Sequence, residues 1–195
     1  MFRNTNVQNL WTNQRGAVAV EFGLIALVLI FFIMFLVDLM LQQALVGKLD
    51  RVTYSVAGTL RERTQLYGSD EYLSQEQAEQ AVLLAKKTLQ NMHSDADLSK
   101  LSATVEELHF VDLKLLSSDR KEISRYNRYH VGAASCEPYS KLDTLQELSP
   151  KGSYNRWVPM YQVTLCLPSA SWFKKLTDFN SEGAQQKSFA IVVVR

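Results

Sequence analysis

The sequence predicts an α+β chain. A long amino-terminal helix is transmembrane in front and amphipathic behind; a second helix and a mostly antiparallel sheet in an extracytoplasmic domain follow. Three observations carry this prediction. Phe22 to Val37 is an apolar run without a single charge. Behind it Leu41, Leu45, Leu49, Val52, Val56 and Leu60 recur at spacings of four and three, which is one face of a helix. In the carboxy-terminal half, apolar and polar residues alternate with a period of two, as in strands buried on one side. A chain of 195 residues has room for one modest folded domain beside a membrane segment.

Counted from Ala17, the apolar segment is about 21 residues, roughly 31 Å of helix, which matches the hydrocarbon thickness of a bilayer. One acid, Glu21, interrupts it near its start. A carboxylate deep in lipid costs about 2.5–3.5 kcal/mol on insertion scales, and less near the interface. Two readings account for it. In the first the helix is a plain signal-anchor whose Glu21 snorkels to the headgroups. In the second a peptidase cuts after Gly16, which has no side chain and stands where a polar leader meets the apolar helix. The new amine is then Ala17, Glu21 becomes the fifth mature residue, and the two opposite charges lie one helical turn apart. In a bundle of copies the acid of one subunit can meet the amine of its neighbour, the kind of partner a buried carboxylate needs.

The leader, residues 1–16, carries Arg3 and Arg15 and no acid. Positive residues beside a first helix hold that end in the cytoplasm. The expected organisation is therefore a cytoplasmic leader at 1–16, a transmembrane helix at 17–37, its amphipathic continuation at 38–66, and an extracytoplasmic domain at 67–195. A cleavable secretory signal is the nearest alternative, but its apolar region is about 7–15 residues with a small-residue exit. This run is longer and leaves through Asp38-Leu39-Met40-Leu41, so the helix is expected to stay attached. Unbroken over 17–65 it would reach roughly 70 Å, with Gly47 and Gly58 as points where it could bend.

Tyr67-Gly68-Ser69-Asp70 reads as a turn. Ser74-Gln75-Glu76-Gln77 resembles a capping box and opens a second helix to about Met92, with Ala78, Ala81, Val82, Ala85, Leu89 and Met92 as its apolar stripe. Strands follow. Ala103 to Leu116 is the first, Ser117 to Arg120 a hairpin turn, and Glu122 to Val131 a polar partner strand. Residues 132–155, with Gly132, Pro138, Pro150 and Gly152, read as irregular. Met160 to Leu167 is the clearest strand: Tyr161, Val163, Leu165 and Leu167 point one way, Gln162, Thr164 and Cys166 the other. Ser188 to Arg195 is an apolar, β-branched run that reads as an interior strand.

Composition excludes several functions. Net charge is +1, and loss of the leader would leave 19 of the 21 basic residues against 20 acidic ones. That balance gives no field for general nucleic-acid binding. His93, His109 and His130 have no ligand-type spacing, so neither a metal nor another cofactor is expected. There is no phosphate-binding loop, no nucleophile elbow and no dinucleotide fingerprint, so an enzyme is not expected. Glu106-Glu107 reads as a solvated pair on a strand edge. Arg120, Lys121, Arg125 and Arg128, interleaved with Tyr126 and Tyr129, form the one basic-aromatic patch, read as a solvated face or subunit contact rather than a single-strand nucleic-acid site. Cys136 and Cys166 both fall beyond the membrane, where an isolated pair reads as a disulfide; two buried free thiols are the alternative. Closing a loop of about 30 residues would contribute roughly 3–4 kcal/mol in the entropic account.

Gly16, the apolar quartet Ala17-Val18-Ala19-Val20 and then Glu21-Phe22 resemble the type IV prepilin processing site. An aromatic directly after the acid, with a short leader, is similar to the tight-adherence (Tad) branch of that family. In size and layout the chain resembles its larger minor pilins, or pseudopilins, of the TadE/TadF type. The resemblance implies processing after Gly16 by a prepilin peptidase, and a structural role in assembling a Tad-type, type IVb-like adhesion pilus. It implies partnership with other pilins and minor pilins and with the inner-membrane assembly platform. Phe22 would help position the cleavage helix and Glu21 would set subunit register. Location in the inner membrane follows, with the carboxy-terminal domain periplasmic and passage into the extracellular fibre open. The alternative function is an uncleaved, signal-anchored periplasmic binding or scaffold domain of an envelope complex.

Overall fold

A computed structural model describes residues 14–62, 72–92, 98–112, 121–152, 156–168 and 185–194, with side chains from Val18 onward. Helix α1 spans Gln14–Arg61 and α2 spans Gln75–Met92; the strands are β1 Ser102–Phe110, β2 Ile123–Val131, β3 Met160–Pro168 and β4 Gln185–Val193. Two short 3₁₀ helices lie at Leu98–Lys100 and Leu142–Leu148. The class is the expected α+β. The described residues fall into two compact units, divided within α1 after Gln42. Residues 1–13 of the leader, the turn at Tyr67–Asp70 and the hairpin turn at Ser117–Arg120 lie outside the described residues.

In the first unit α1 contains no proline, and only Gly16 and Gly23 break an otherwise side-chain-bearing run up to Gln42. A Cβ built on Gly23 would meet nothing, so that glycine answers to no packing within the chain.

The second unit is a four-stranded antiparallel sheet in the order β2-β1-β3-β4, with helices on one face. Ala103, Val105, Tyr161, Val163, Leu165, Leu167 and Ala190 of that face form one core with the rear of α1 and the stripe of α2. From α1 come Leu49, Val52, Val56, Ala57 and Leu60; from α2 come Ala78, Ala81, Val82, Ala85 and Leu89. Each Leu or Val fully withdrawn from water contributes about 1.5–3 kcal/mol. Leu41 is exposed, so the packed face of α1 begins at the half-buried Leu45, and Met92 is likewise exposed at the end of α2. The start of α2 is fixed locally. Ser74 Oγ accepts from the Gln77 amide and Gln77 Oε1 accepts from the Ser74 amide, both at 3.2 Å, the reciprocal pair of a capping box.

The opposite face is covered by residues 132–152, which cross it as a strap. Gly132 admits the chain with φ 116°, where a Cβ would come within 2.8 Å of Ser102. Cys136 is disulfide-bonded to Cys166 of β3, with Cα atoms 5.6 Å apart. Thr104 of β1 donates to the Cys136 carbonyl at 2.6 Å, and Gln162 of β3 donates to the Ser140 carbonyl at 3.1 Å. Leu142 completes a second small core with Leu108 and Met160.

Two expectations are corrected. Glu106 and Glu107 are not a solvated edge pair: β1 is a central strand, and both side chains are buried at 0% exposure, Glu106 under the strap and Glu107 towards the helices. The terminal apolar strand β4 is an edge strand, not an interior one. Its apolar residues from Ala190 to Val193 meet a core on each face, although Phe189 stays exposed. Ala190 and Val192 pack with the helices, Ile191 and Val193 with the Leu108–Leu142–Met160 core.

Candidate functional site

The candidate site begins with the backbone of Gly16, Ala17, Glu21 and Phe22, which lies within α1; Ala17 and Glu21 are separated by one turn. Glu21 is exposed, and Phe22 is 72% exposed. The same holds along the helix for Leu24, Ile25, Leu27 and Ile30, which lie on different sides of it. A helix apolar all round has no stable place in water, and its surroundings must be lipid or other protein. By length and composition this is a helix able to cross a membrane. The charge-free run ends at Asp38, which is almost fully buried and accepts from Gln42 at 2.9 Å.

In the second unit several basic and aromatic side chains are engaged by the chain itself. Lys121 donates to the carbonyls of Gln146, Glu147 and Ser149 at 3.0–3.1 Å and lies 4.4 Å over the Trp157 ring. Arg125 stacks on Tyr72 at 4.3 Å and approaches Glu107 at 3.5 Å; Arg128 pairs with Glu137 at 2.6 Å. Tyr129 donates to the Leu73 carbonyl and Tyr126 to Glu106. The basic-aromatic residues of β2 thus bind the chain to itself, fastening the strap and the entry to α2; Arg120 lies outside the described residues.

Sequence reasoning missed Glu107 as an anchor. Its carboxylate accepts from the Leu73 amide at 2.6 Å and from Asn127 at 2.8 Å, tying the lead-in of α2 to the sheet centre. Its sequence neighbours, Glu106 and Leu108, gave no sign of this, because its partners lie 34 and 20 residues away along the chain. His109 is buried between Tyr72 and Tyr161, and His130 lies 3.3 Å from Thr104. Among the described residues, no three His, Cys, Asp or Glu side chains gather to hold a metal ion.

Electrostatics separates the acids under the strap. Burial pushes the Glu106 carboxyl above its ordinary value, against the opposing hydrogen bond from Tyr126 and the charge of Arg128. Burial, and then the Glu106 carboxylate, push the Tyr126 phenol up as well. The hydrogen bond from Arg128 holds exposed Glu137 below the ordinary carboxylate value.

No curated protein and no solved structure matches this chain. A family model described as "Putative tight adherence pilin protein F" matches residues 9–195, the apolar helix and the sheet domain together. The chain belongs to that family, TadF, of pilin-like proteins associated with the Tad pilus.

Proposed function

We propose that this chain is a minor pilin, or pseudopilin, of a Tad-type adhesion pilus. It is made with a cytoplasmic leader, cut after Gly16 by a prepilin peptidase, and held in the inner membrane by the helix at 17–37. Residues 67–195 lie in the periplasm. The role is structural, initiating, capping or regulating assembly through contacts with other pilins and the inner-membrane platform. Glu21 pairs with the Ala17 amine of a neighbouring subunit and sets register, while the apolar side chains pack laterally. The observation that supports this reading best is an acid four residues after Ala17 on a helix otherwise apolar on every side, in a chain matched over residues 9–195 by a pilin family.

Sequencing the amino end of the membrane-extracted protein tests it. The expected terminus is Ala17. Recovery of Met1 from cells with an active prepilin peptidase would leave the uncleaved, signal-anchored scaffold in its place.

A further inference from the structure

Under the strap lies a polar pair that none of the preceding chemistry uses. Glu106 of β1 and Gln162 of β3 are direct cross-strand partners on the same face, 0% and 1% exposed. Glu106 Oε1 accepts from the Tyr126 hydroxyl. Its second oxygen, Oε2, is buried without a hydrogen-bond partner, and so is Gln162 Oε1. Buried acceptors left short of donors are unfavourable, and among the described residues only the Leu142 amide of the strap approaches the Glu106 carboxyl as a donor besides Tyr126. Cross-strand partners on one face have Cβ atoms about 4.5–5.5 Å apart, within reach of two side chains of this length. One proton satisfies both.

We propose that Glu106 is a neutral carboxylic acid at its resting state, donating its Oε2 hydrogen to Gln162 Oε1, and that this proton latches the strap onto the sheet. The coupling runs through the Gln162 amide. With its oxygen towards protonated Glu106, its Nε2 points to the strap and donates to the Ser140 carbonyl, as in the structure. When the proton leaves for water, the carboxylate repels Gln162 Oε1. The amide then turns to donate Nε2 to Glu106, and Ser140 loses its donor. The latch closes at low pH and opens at high pH.

The groups facing Glu106 pull both ways, and burial outweighs those that favour the charge. From β2 come Tyr126, which donates to it, and Arg128, whose charge opposes protonation but is drawn off by Glu137 at 2.6 Å. From the strap come the Leu142 amide, which hydrogen-bonds the carboxylate and opposes protonation, and Asp143, whose carboxylate favours the neutral acid. β3 presents Gln162, which is uncharged. The carboxyl of Glu106 is raised from its ordinary value by burial, in the direction the geometry requires. Such a group stabilises the closed form below the ordinary carboxyl value, and the contribution is lost as pH rises through the folded value.

Hydrogen exchange of the strap amides, in the full chain held in detergent and corrected for intrinsic rates, tests the latch. In the wild type, protection of residues 132–152 is expected to fall by up to about tenfold per pH unit above the ordinary carboxyl value. It levels off once the buried acid has ionised. Glu106→Gln reproduces the neutral acid, since its Nε2 can donate to Gln162, and its protection is expected to show no such slope. The infrared carbonyl band of a buried protonated carboxyl should be present in the wild type at pH above the ordinary carboxyl value, while the strap is still protected, and missing in Glu106→Gln. This second readout stands even if the variant folds poorly. Equal slopes in the two proteins, or absence of the band, would overturn the proposal. So would protection that calcium ions restore at high pH in the wild type alone, because a cation rather than a proton would then satisfy the two oxygens.

Discussion

The two ends of α1 present the same residue types to different surroundings. Between Phe22 and Leu41 the helix shows its apolar side chains outward on every side; between Leu49 and Leu60 the equivalent side chains are fully buried against α2 and the sheet. The rear half finds its partners within its own chain, so the fold alone accounts for its sequence. In the front half the large apolar side chains from Phe22 to Phe32 stay exposed among the described residues, and lipid or other protein must cover them. The same contrast holds for charge. In the second unit several acids and bases are spent on each other, as Glu107 is on Arg125 and Glu137 on Arg128, whereas Glu21 stands exposed on a helix that lipid would surround.

The largest effect should come from the front, without disturbing the fold. Gly16→Leu is expected to abolish processing almost completely, read as an uncut precursor by mass spectrometry of the intact chain. Normal-sized product would show that Gly16 is not the recognised residue. In the rear, Leu49→Ala should destabilise the second unit by about 2–5 kcal/mol in urea unfolding, the range for a buried leucine left as a cavity. Leu29→Ala should stay within about 0.5 kcal/mol in the same measurement. Equal shifts would remove the distinction between the two halves. Reducing the Cys136–Cys166 bond should cost about 3–4 kcal/mol by closing entropy and release the strap. Glu21→Ala should be inserted, cut and as stable as the wild type, yet enter pilus complexes poorly in a pull-down from membranes. Undiminished incorporation would leave Glu21 without its pairing role.

What was legible in the sequence was local. The capping box at Ser74–Gln77 involves neighbours in the chain, and it marks the start of α2 as read. The period-two alternation of Met160–Leu167 reports which residues share a face, and β3 divides as expected: Tyr161, Val163 and Leu165 are in the helix-side core. Alternation does not report hydrogen-bonded neighbours. Ile191, Val192 and Val193 therefore read as interior when they are covered on both faces but stand on an edge strand. Glu106 and Glu107 misled for a related reason. On a strand with one wet face, one of two adjacent acids would be solvated, but the irregular strap closes that second face, and its route depends on contacts 30 residues apart, such as Cys136 with Cys166. Gly16, Glu21 and Phe22 could be proposed as a site from the sequence because the proposal rests on their spacing along one helix. The strap residues were not, because their geometry exists only after folding.

The smallest expected effect bears on how completely the second unit spends its charges. Arg128 holds Glu137 below the ordinary carboxyl value, so the bound carboxylate is favoured by the folded chain. The sign follows from linkage. The pair's contribution is fully present above the ordinary value of 4.5 and is lost as pH falls through the lower, folded value. The difference in unfolding midpoint between the wild type and Glu137→Gln should therefore be constant near neutral pH and fade in acid. Added salt should shrink it, because Glu137 is exposed. Glu106→Gln should move the other way, gaining on the wild type as pH rises. If both variants changed in the same direction with pH, Arg128 would be serving the buried acid rather than the exposed one, and the strap would be held by an ion pair under it instead of one at its rim.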